Sequence, residues 1–272
     1  MLAEWKFPNR ATPPGSSAYY SLRFAPRELR DELAALLAWR HQVWAVLEDV
    51  SDPGLARIKL QWWREELGRT FAGEAQHPLS KVLQPALQGH GLPLAPFIGI
   101  ADQVELEILR RQPADETELD AACDRDLGAL FELIARCHGL SEAGMLRTTR
   151  RLGGFCARVY RIRDSGALAR QGRAALPVEQ LREQGLSAEA LTEHRHRSRL
   201  PDLLPPAAAR ARAVLAESDG MREMPACLRV RARILESLLG ELERAGFAVA
   251  DRRLGLTPLR KLWLGWRESR RK

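Results

Sequence analysis

Apolar residues recur three and four positions apart along most of this chain, and nowhere do they alternate long enough to predict a strand. Leu29, Leu33, Leu36, Leu37, Val43, Trp44 and Leu47 follow Pro26 at helical spacing and predict a helix that ends before Ser51. Ser51-Asp52-Pro53 marks a new start, because Asp52 can cap free amides and Pro53 fits the first helical position. Leu55, Ile58, Leu60, Trp62, Trp63 and Leu67 then carry a second helix to Gly68. The same spacing predicts helices over 79–88, 94–111, 117–137, 142–168, 207–215, 225–245 and 258–267. Residues 1–17 are rich in Pro, Gly and Ser and read as an irregular lead-in, and 170–206 holds only short helical pieces. The expectation is an all-α chain with one domain over 18–272 and short loops between antiparallel helices.

Composition agrees with a packed domain and narrows the chemistry. With 45% hydrophobic and 28% charged residues among 272, the chain can bury a substantial core and is not a disordered polymer. Lys and Arg outnumber Asp and Glu by 42 to 35, mostly as arginine, which favours anionic partners: phosphates, acidic lipid head groups or nucleic acid. Cys123, Cys137, Cys156 and Cys227 stand singly, without metal-ligand or disulfide spacing, so reduced thiols are expected. His194 and His196 lie among arginines in a predicted loop and read as solvated. No apolar run approaches the roughly 20 residues of a bilayer span and the first ten residues lack a signal-peptide core, so a cytoplasmic protein is expected, at most peripheral to a membrane.

Four stretches in order, SSAYYSLRFAP (16–26), SDPGLARIKLQWWREE (51–66), RQGRAALPVEQLREQGLS (170–187) and DRRLGLTPLRKLWLGWR (251–267), resemble the squalene/phytoene synthase family. That resemblance spans almost the whole chain. It implies the isoprenoid-synthase fold, a helical bundle around a central cavity. Active members of the family join two prenyl diphosphates head to head, using Mg²⁺ held by two aspartate-rich motifs, since a departing diphosphate develops charge that divalent ions stabilise.

Both motifs are located here by their flanks, and both depart from the family pattern. Where the first reads like RxVDDxxDE, this chain has His41-Gln42-Val43-Trp44-Ala45-Val46-Leu47-Glu48-Asp49, so an indole and a methyl replace the leading aspartate pair. In the second motif Arg163 and Asp164 remain, whereas Ala157, Tyr160 and Leu168 occupy positions where the family has polar or acidic groups. Ala157, Tyr160, Asp164 and Leu168 share one helix face, with Arg161 bordering it. Glu48 and Asp164 are left as a reduced metal pair, able to share one Mg²⁺ if phosphate and water complete its shell. Two functions follow from the resemblance. The first is a degenerate member without metal-dependent prenyl transfer and with no cofactor, acting by binding a lipid, phosphate or protein partner. A branch of the family that assembles respiratory complex I is similar in lacking the acidic motifs. The alternative is an active head-to-head prenyltransferase condensing two farnesyl or geranylgeranyl diphosphates, with Mg²⁺ at Glu48 and Asp164 and with Tyr20, Arg163 and Arg173 assisting. Under either reading His41, Trp44, Ala157, Tyr160, Arg161, Arg163, Leu168 and Arg173 are the expected cavity-lining or anion-binding residues.

Arginines recur from Arg147 to Arg173, either as an anion site or as solvated groups of which one or two pair with Glu48 or Asp164. Adjacent Trp62 and Trp63 cannot both face one cavity and read as scaffold. Asp102, Glu105 and Glu107 read as a solvated acidic face. In the C-terminal LRKLWLGWRESRRK, tryptophan is interleaved with basic residues; Trp263 is expected to pack against the bundle, and contact with an anionic membrane interface is the alternative. Nucleic-acid binding has only the net charge in its favour, without a recognition motif.

Overall fold

The chain is described by a computed structural model over residues 2–50, 52–218 and 221–271. Met1, Ser51 and Lys272, which belong to the lead-in, the second helix start and the basic tail, lie outside the described residues. Helices are Ser17–Leu22 (α1), Arg30–Asp49 (α2), Pro53–Ala72 (α3), Pro78–Gly89 (α4), Ala95–Ile108 (α5), Glu116–Cys123 (α6), Ala129–Cys137 (α7) and Ala143–Arg170 (α8). They are followed by Val178–Glu183 (α9), His194–Arg197 (α10), Leu200–Leu203 (α11), Pro205–Ala216 (α12), Ala226–Arg244 (α13) and Pro258–Ser269 (α14). Among the described residues there is no strand. The all-α expectation holds, and the long helices fall within a few residues of their predicted ends.

Local chemistry explains most of the ends. Asp52 accepts from the Leu55 amide with Pro53 just inside α3, and Thr257 caps α14 through the Arg260 amide beside Pro258. The α1 helix was not foreseen: its six residues are too few to show a period, and its start is fixed by Ser16, whose hydroxyl accepts from the Tyr19 amide. The lead-in is irregular but tethered. The Phe7 amide donates to Asp31 and the buried Asn9 donates to the Ala34 carbonyl on α2.

Helix α8, roughly 42 Å long at about 1.5 Å per residue, runs through the middle of the bundle against α7, α12 and α13. Helices α2 and α5 face it across the α6–α7 segment, and α14 packs on α13 and α1. Trp39 on α2 is 2% exposed and meets Phe97 of α5 edge to face at 4.9 Å. Trp63 is buried and Trp62 is half-exposed, and both rings flank His77, so the pair is scaffold as expected. Trp263 departs from its expectation. It is 51% exposed, because Leu264 and Gly265 form the packed side of α14 and Trp263 falls on the opposite one.

Candidate functional site

A cavity of about 530 Å³ opens between α2, α5, the α6–α7 segment, α8, α13 and α14. This is within the usual range of a small-ligand site, about 300–1,000 Å³. Its first wall comes from α2. Arg40 and Trp44 lie one turn apart on that helix and point at Asp126. Arg40 donates from Nε and Nη2 to the two Asp126 oxygens, each at 2.6 Å, and the Trp44 Nε1–H donates to Oδ1 at 2.9 Å. The Arg40 guanidinium also lies 5.2 Å from the Trp44 ring centre.

Asp126 reaches this position because α6 and α7 are joined by a π-helical turn, Asp124–Gly128, whose extra residue re-aims the side chains. Helix α8 closes on that turn so tightly that a Cβ on Gly153 would run into the Leu127 carbonyl. Glycine is therefore required there for the close approach, not for its backbone angles.

The second wall is α8. Ala157, Tyr160, Arg161, Arg163, Asp164 and Leu168 all line the cavity. Arg163 donates to Asp164 from Nε at 2.9 Å and Nη2 at 2.5 Å, and Arg253 approaches the same carboxylate at 2.8 and 3.3 Å. Burial pushes the Asp164 carboxyl up, but the hydrogen bonds and charges of Arg163 and Arg253 outweigh it and hold the group below the ordinary aspartate value. Tyr160 lies between two guanidiniums, with Arg163 4.5 Å and Arg231 5.5 Å from its ring centre. On the third side Glu107 of α5 pairs with Arg161 at 3.3 Å and Arg173 at 3.7 Å.

Three carboxylates, Glu107, Asp126 and Asp164, thus face five paired arginines. Arg231 and Lys261 add positive charge without a paired carboxylate among the described residues. Arg231 Nε is buried with no hydrogen-bond partner among the described residues, while Lys261 Nζ donates to the Gly15 carbonyl at 2.7 Å. Burial, then repulsion from Arg163, Arg231 and Arg253, lowers the Lys261 pKa. The rest of the lining mixes apolar residues, among them Ala18, Leu127 and Leu168, with the polar Ser16, Ser17 and Gln103, so the cavity offers cations to an anionic head and a narrower apolar strip to a hydrocarbon body. Cys123 also lines it, but burial raises its thiol to about 11, against the opposing pull of Arg161 and Arg158, which leaves it inert as a nucleophile at neutral pH.

Several expected site residues are placed elsewhere. His41 is exposed, because one step of about 100° from Arg40 turns it off the inner face. Glu48 is exposed near the end of α2 and does not line the cavity, so Glu48 and Asp164 are not brought together as metal ligands. Tyr20 packs against the core beside Tyr19, and the cavity tyrosine is Tyr160. Trp44, Ala157, Tyr160, Arg161, Arg163, Leu168 and Arg173 line the cavity. Glu107, read as part of a solvated face, is 14% exposed and belongs to the site, whereas Asp102 and Glu105 pair with Arg64. Sequence reasoning missed Arg40, Asp126, Arg231, Arg253 and Lys261. Arg253 and Lys261 lie in the stretch 251–267 whose resemblance was noted, and Arg40 directly precedes the first motif. Asp126 and Arg231 carried no local signal.

The carboxylates present do not fit the Mg²⁺ clamp that the resemblance implies. Both oxygens of Asp126 are held by Arg40, one of them also by Trp44, and both oxygens of Asp164 by Arg163 and Arg253. Among the described residues no group of three His, Cys, Asp or Glu is placed to hold a metal ion.

Comparison with known proteins agrees with the fold and the family resemblance. The squalene/phytoene synthase family model matches residues 11–260. A presqualene diphosphate synthase of Rhodopseudomonas palustris is 30% identical over 245 residues, covering 86% of each chain. A phytoene synthase of Mycobacterium tuberculosis is 27% identical over 259 residues, covering 89% of this chain and 82% of that protein. Among solved structures, a dehydrosqualene synthase in complex with ligand superposes with a TM-score of 0.80 at 19% identity, over 93% of this chain and 90% of the other. The squalene synthase HpnC from Alicyclobacillus acidocaldarius gives 0.75 at 21% identity, over 88% and 92%. These two share the all-α isoprenoid-synthase fold. On the extent of the family match and the 30% identity across most of both chains, this chain belongs to the squalene/phytoene synthase family.

Proposed function

We propose that the cavity takes a prenyl diphosphate, with the diphosphate held by the cluster of Arg163, Arg231, Arg253 and Lys261 and the isoprenoid chain lying against the apolar wall. One observation carries this reading: four cations line the cavity, only two of them, Arg163 and Arg253, are paired with a carboxylate, Asp164, and Arg231 has a buried nitrogen without a hydrogen-bond partner among the described residues. Guanidinium groups match diphosphate oxygens in geometry and are always charged. Fixed cations aimed at a leaving group can also stabilise the charge that develops as its C–O bond breaks.

The names of the relatives supply the reaction. A presqualene diphosphate synthase at 30% identity and phytoene synthases at 27% favour turnover over binding alone, as a head-to-head condensation of two farnesyl or geranylgeranyl diphosphates. The opposing reading, binding without condensation, rests on Trp44, Ala45 and Leu168 at the motif positions and on the engagement of Asp126 and Asp164 by cations. Incubating the purified chain with farnesyl diphosphate, with and without Mg²⁺, and measuring released diphosphate and extracted hydrocarbon or presqualene product separates the two. Product that disappears in Arg231→Ala supports condensation in this cavity. Saturable binding of farnesyl diphosphate with no product leaves binding alone, and neither binding nor product would reject both.

A further inference from the structure

We infer that α14 is a membrane-docking helix that seats the protein on an anionic lipid surface, with the cavity directly behind it. The helix is amphipathic in an unusual sense. Its inner face carries Lys261, which lines the cavity, and the buried Leu264 and Gly265. Its outer face carries Leu259, Leu262, Trp263 and Trp266, spaced i, i+3, i+4 and i+7, with exposures of 80%, 38%, 51% and 47%. A soluble helix would place polar residues there. Gly265 sets the orientation, because a Cβ at that position would collide with the ring of Phe24. The tight seat on Phe24 keeps the inner face down and the tryptophans outward.

The charge around this stripe selects the partner. The exposed flank of the helix carries Arg267, with Arg270 and Arg271 just past its end, while Arg23 borders the groove formed by the stripe and Phe24. Arg267 lies 5.3 Å from the Trp263 ring centre and Arg270 4.3 Å from that of Trp266. The only acid on α14 among its described residues, Glu268, is turned inward at 12% exposure and is paired with Arg229 and Arg271. Indoles and leucines bordered by arginines, with no exposed carboxylate, complement a leaflet that offers hydrocarbon below a layer of negative phosphates. Among the described residues no helix is long and apolar enough to cross a bilayer, so the contact is with its surface. Because Lys261 and Trp263 are two residues apart on opposite faces of one helix, a lipophilic ligand leaving the bilayer at this surface would lie one helix width from the cavity. The docking surface stands on the geometry of α14 alone and does not depend on which ligand the cavity takes.

Co-sedimentation of the full chain with vesicles tests this. Mixed phosphatidylglycerol–phosphatidylcholine vesicles are expected to bind the chain more than about tenfold better than phosphatidylcholine alone, with about fivefold for each arginine engaged. The double variant Trp263→Ser/Trp266→Ser should lose binding to both vesicle types. Arg267→Gln/Arg270→Gln should lose chiefly the preference for the anionic one. Both variants should keep the wild-type melting temperature, since the altered side chains are exposed. Absence of vesicle binding, or binding that survives the tryptophan double variant, would overturn the assignment. So would a concentration-dependent dimer in sedimentation velocity that the same variant dissolves, because the stripe would then be an interface between two copies.

Discussion

Where the family resemblance implies an aspartate, α2 carries Trp44, and its indole gives that position a different chemistry. An indole N–H can only donate, so instead of ligating a metal it hydrogen-bonds Asp126, already held by Arg40. Trp44→Phe should lower stability by about 1 kcal/mol, the worth of one hydrogen bond, measured by urea denaturation. Asp126→Ala should cost about 3 kcal/mol, since it leaves Arg40 and the indole without their partner. A smaller loss for Asp126→Ala than for Trp44→Phe would contradict this arrangement. Asp164 makes a pH-dependent contribution of definite sign. Its folded-state pKa is depressed by Arg163 and Arg253, so its stabilising effect is complete above the unfolded aspartate value, about 3.9. That effect is lost as pH falls through the lower folded value. The difference in melting temperature between wild type and Asp164→Asn should therefore be present at pH 7 and vanish in acid below that window. A difference that grows on acidification would reverse the assignment. Trp44, Leu168 and Arg163 were legible from sequence because motif flanks fixed their register. His41 and Glu48 were misplaced because the flanks fix position along the helix but not how far each side chain turns toward solvent.

At the level of elements, the π-helical turn Asp124–Gly128 is the feature that makes the α2 wall what it is. Without its extra residue Asp126 would rotate away from Arg40, and α8 could not approach so closely at Gly153. Gly153→Ala should therefore destabilise by about 2 kcal/mol through overpacking and should weaken ligand binding along with it. A stability unchanged from wild type, measured by thermal unfolding, would show that α8 has room to move. Helical periodicity revealed the helix over 117–137 but not the turn inside it, because one added residue shifts a pattern of small and apolar side chains too little to see. The same limit hid α1, whose six residues form less than two turns.

On the scale of the molecule, the fold was readable because its long helices are amphipathic and their loops carry the family's flanking motifs. The cation cluster was not. Arg163 comes from α8, Arg231 from α13, Arg253 from the segment before α14 and Lys261 from α14, so the site exists only after four parts of the chain pack. In the sequence these groups are ordinary members of an arginine-rich chain. In the structure Arg163 and Arg231 meet at Tyr160, Arg163 and Arg253 meet at Asp164, and Lys261 lines the same cavity, its pKa lowered by burial and then by these three arginines. Anion binding by fixed guanidinium and ammonium groups needs no metal, and that is the central claim. Calorimetric titration with farnesyl diphosphate in the presence of EDTA tests it most directly. Saturable binding that EDTA leaves unchanged, weakened about tenfold or more by Arg231→Ala and again by Lys261→Ala, is the predicted result. Binding that requires added Mg²⁺ and is indifferent to both substitutions would contradict it.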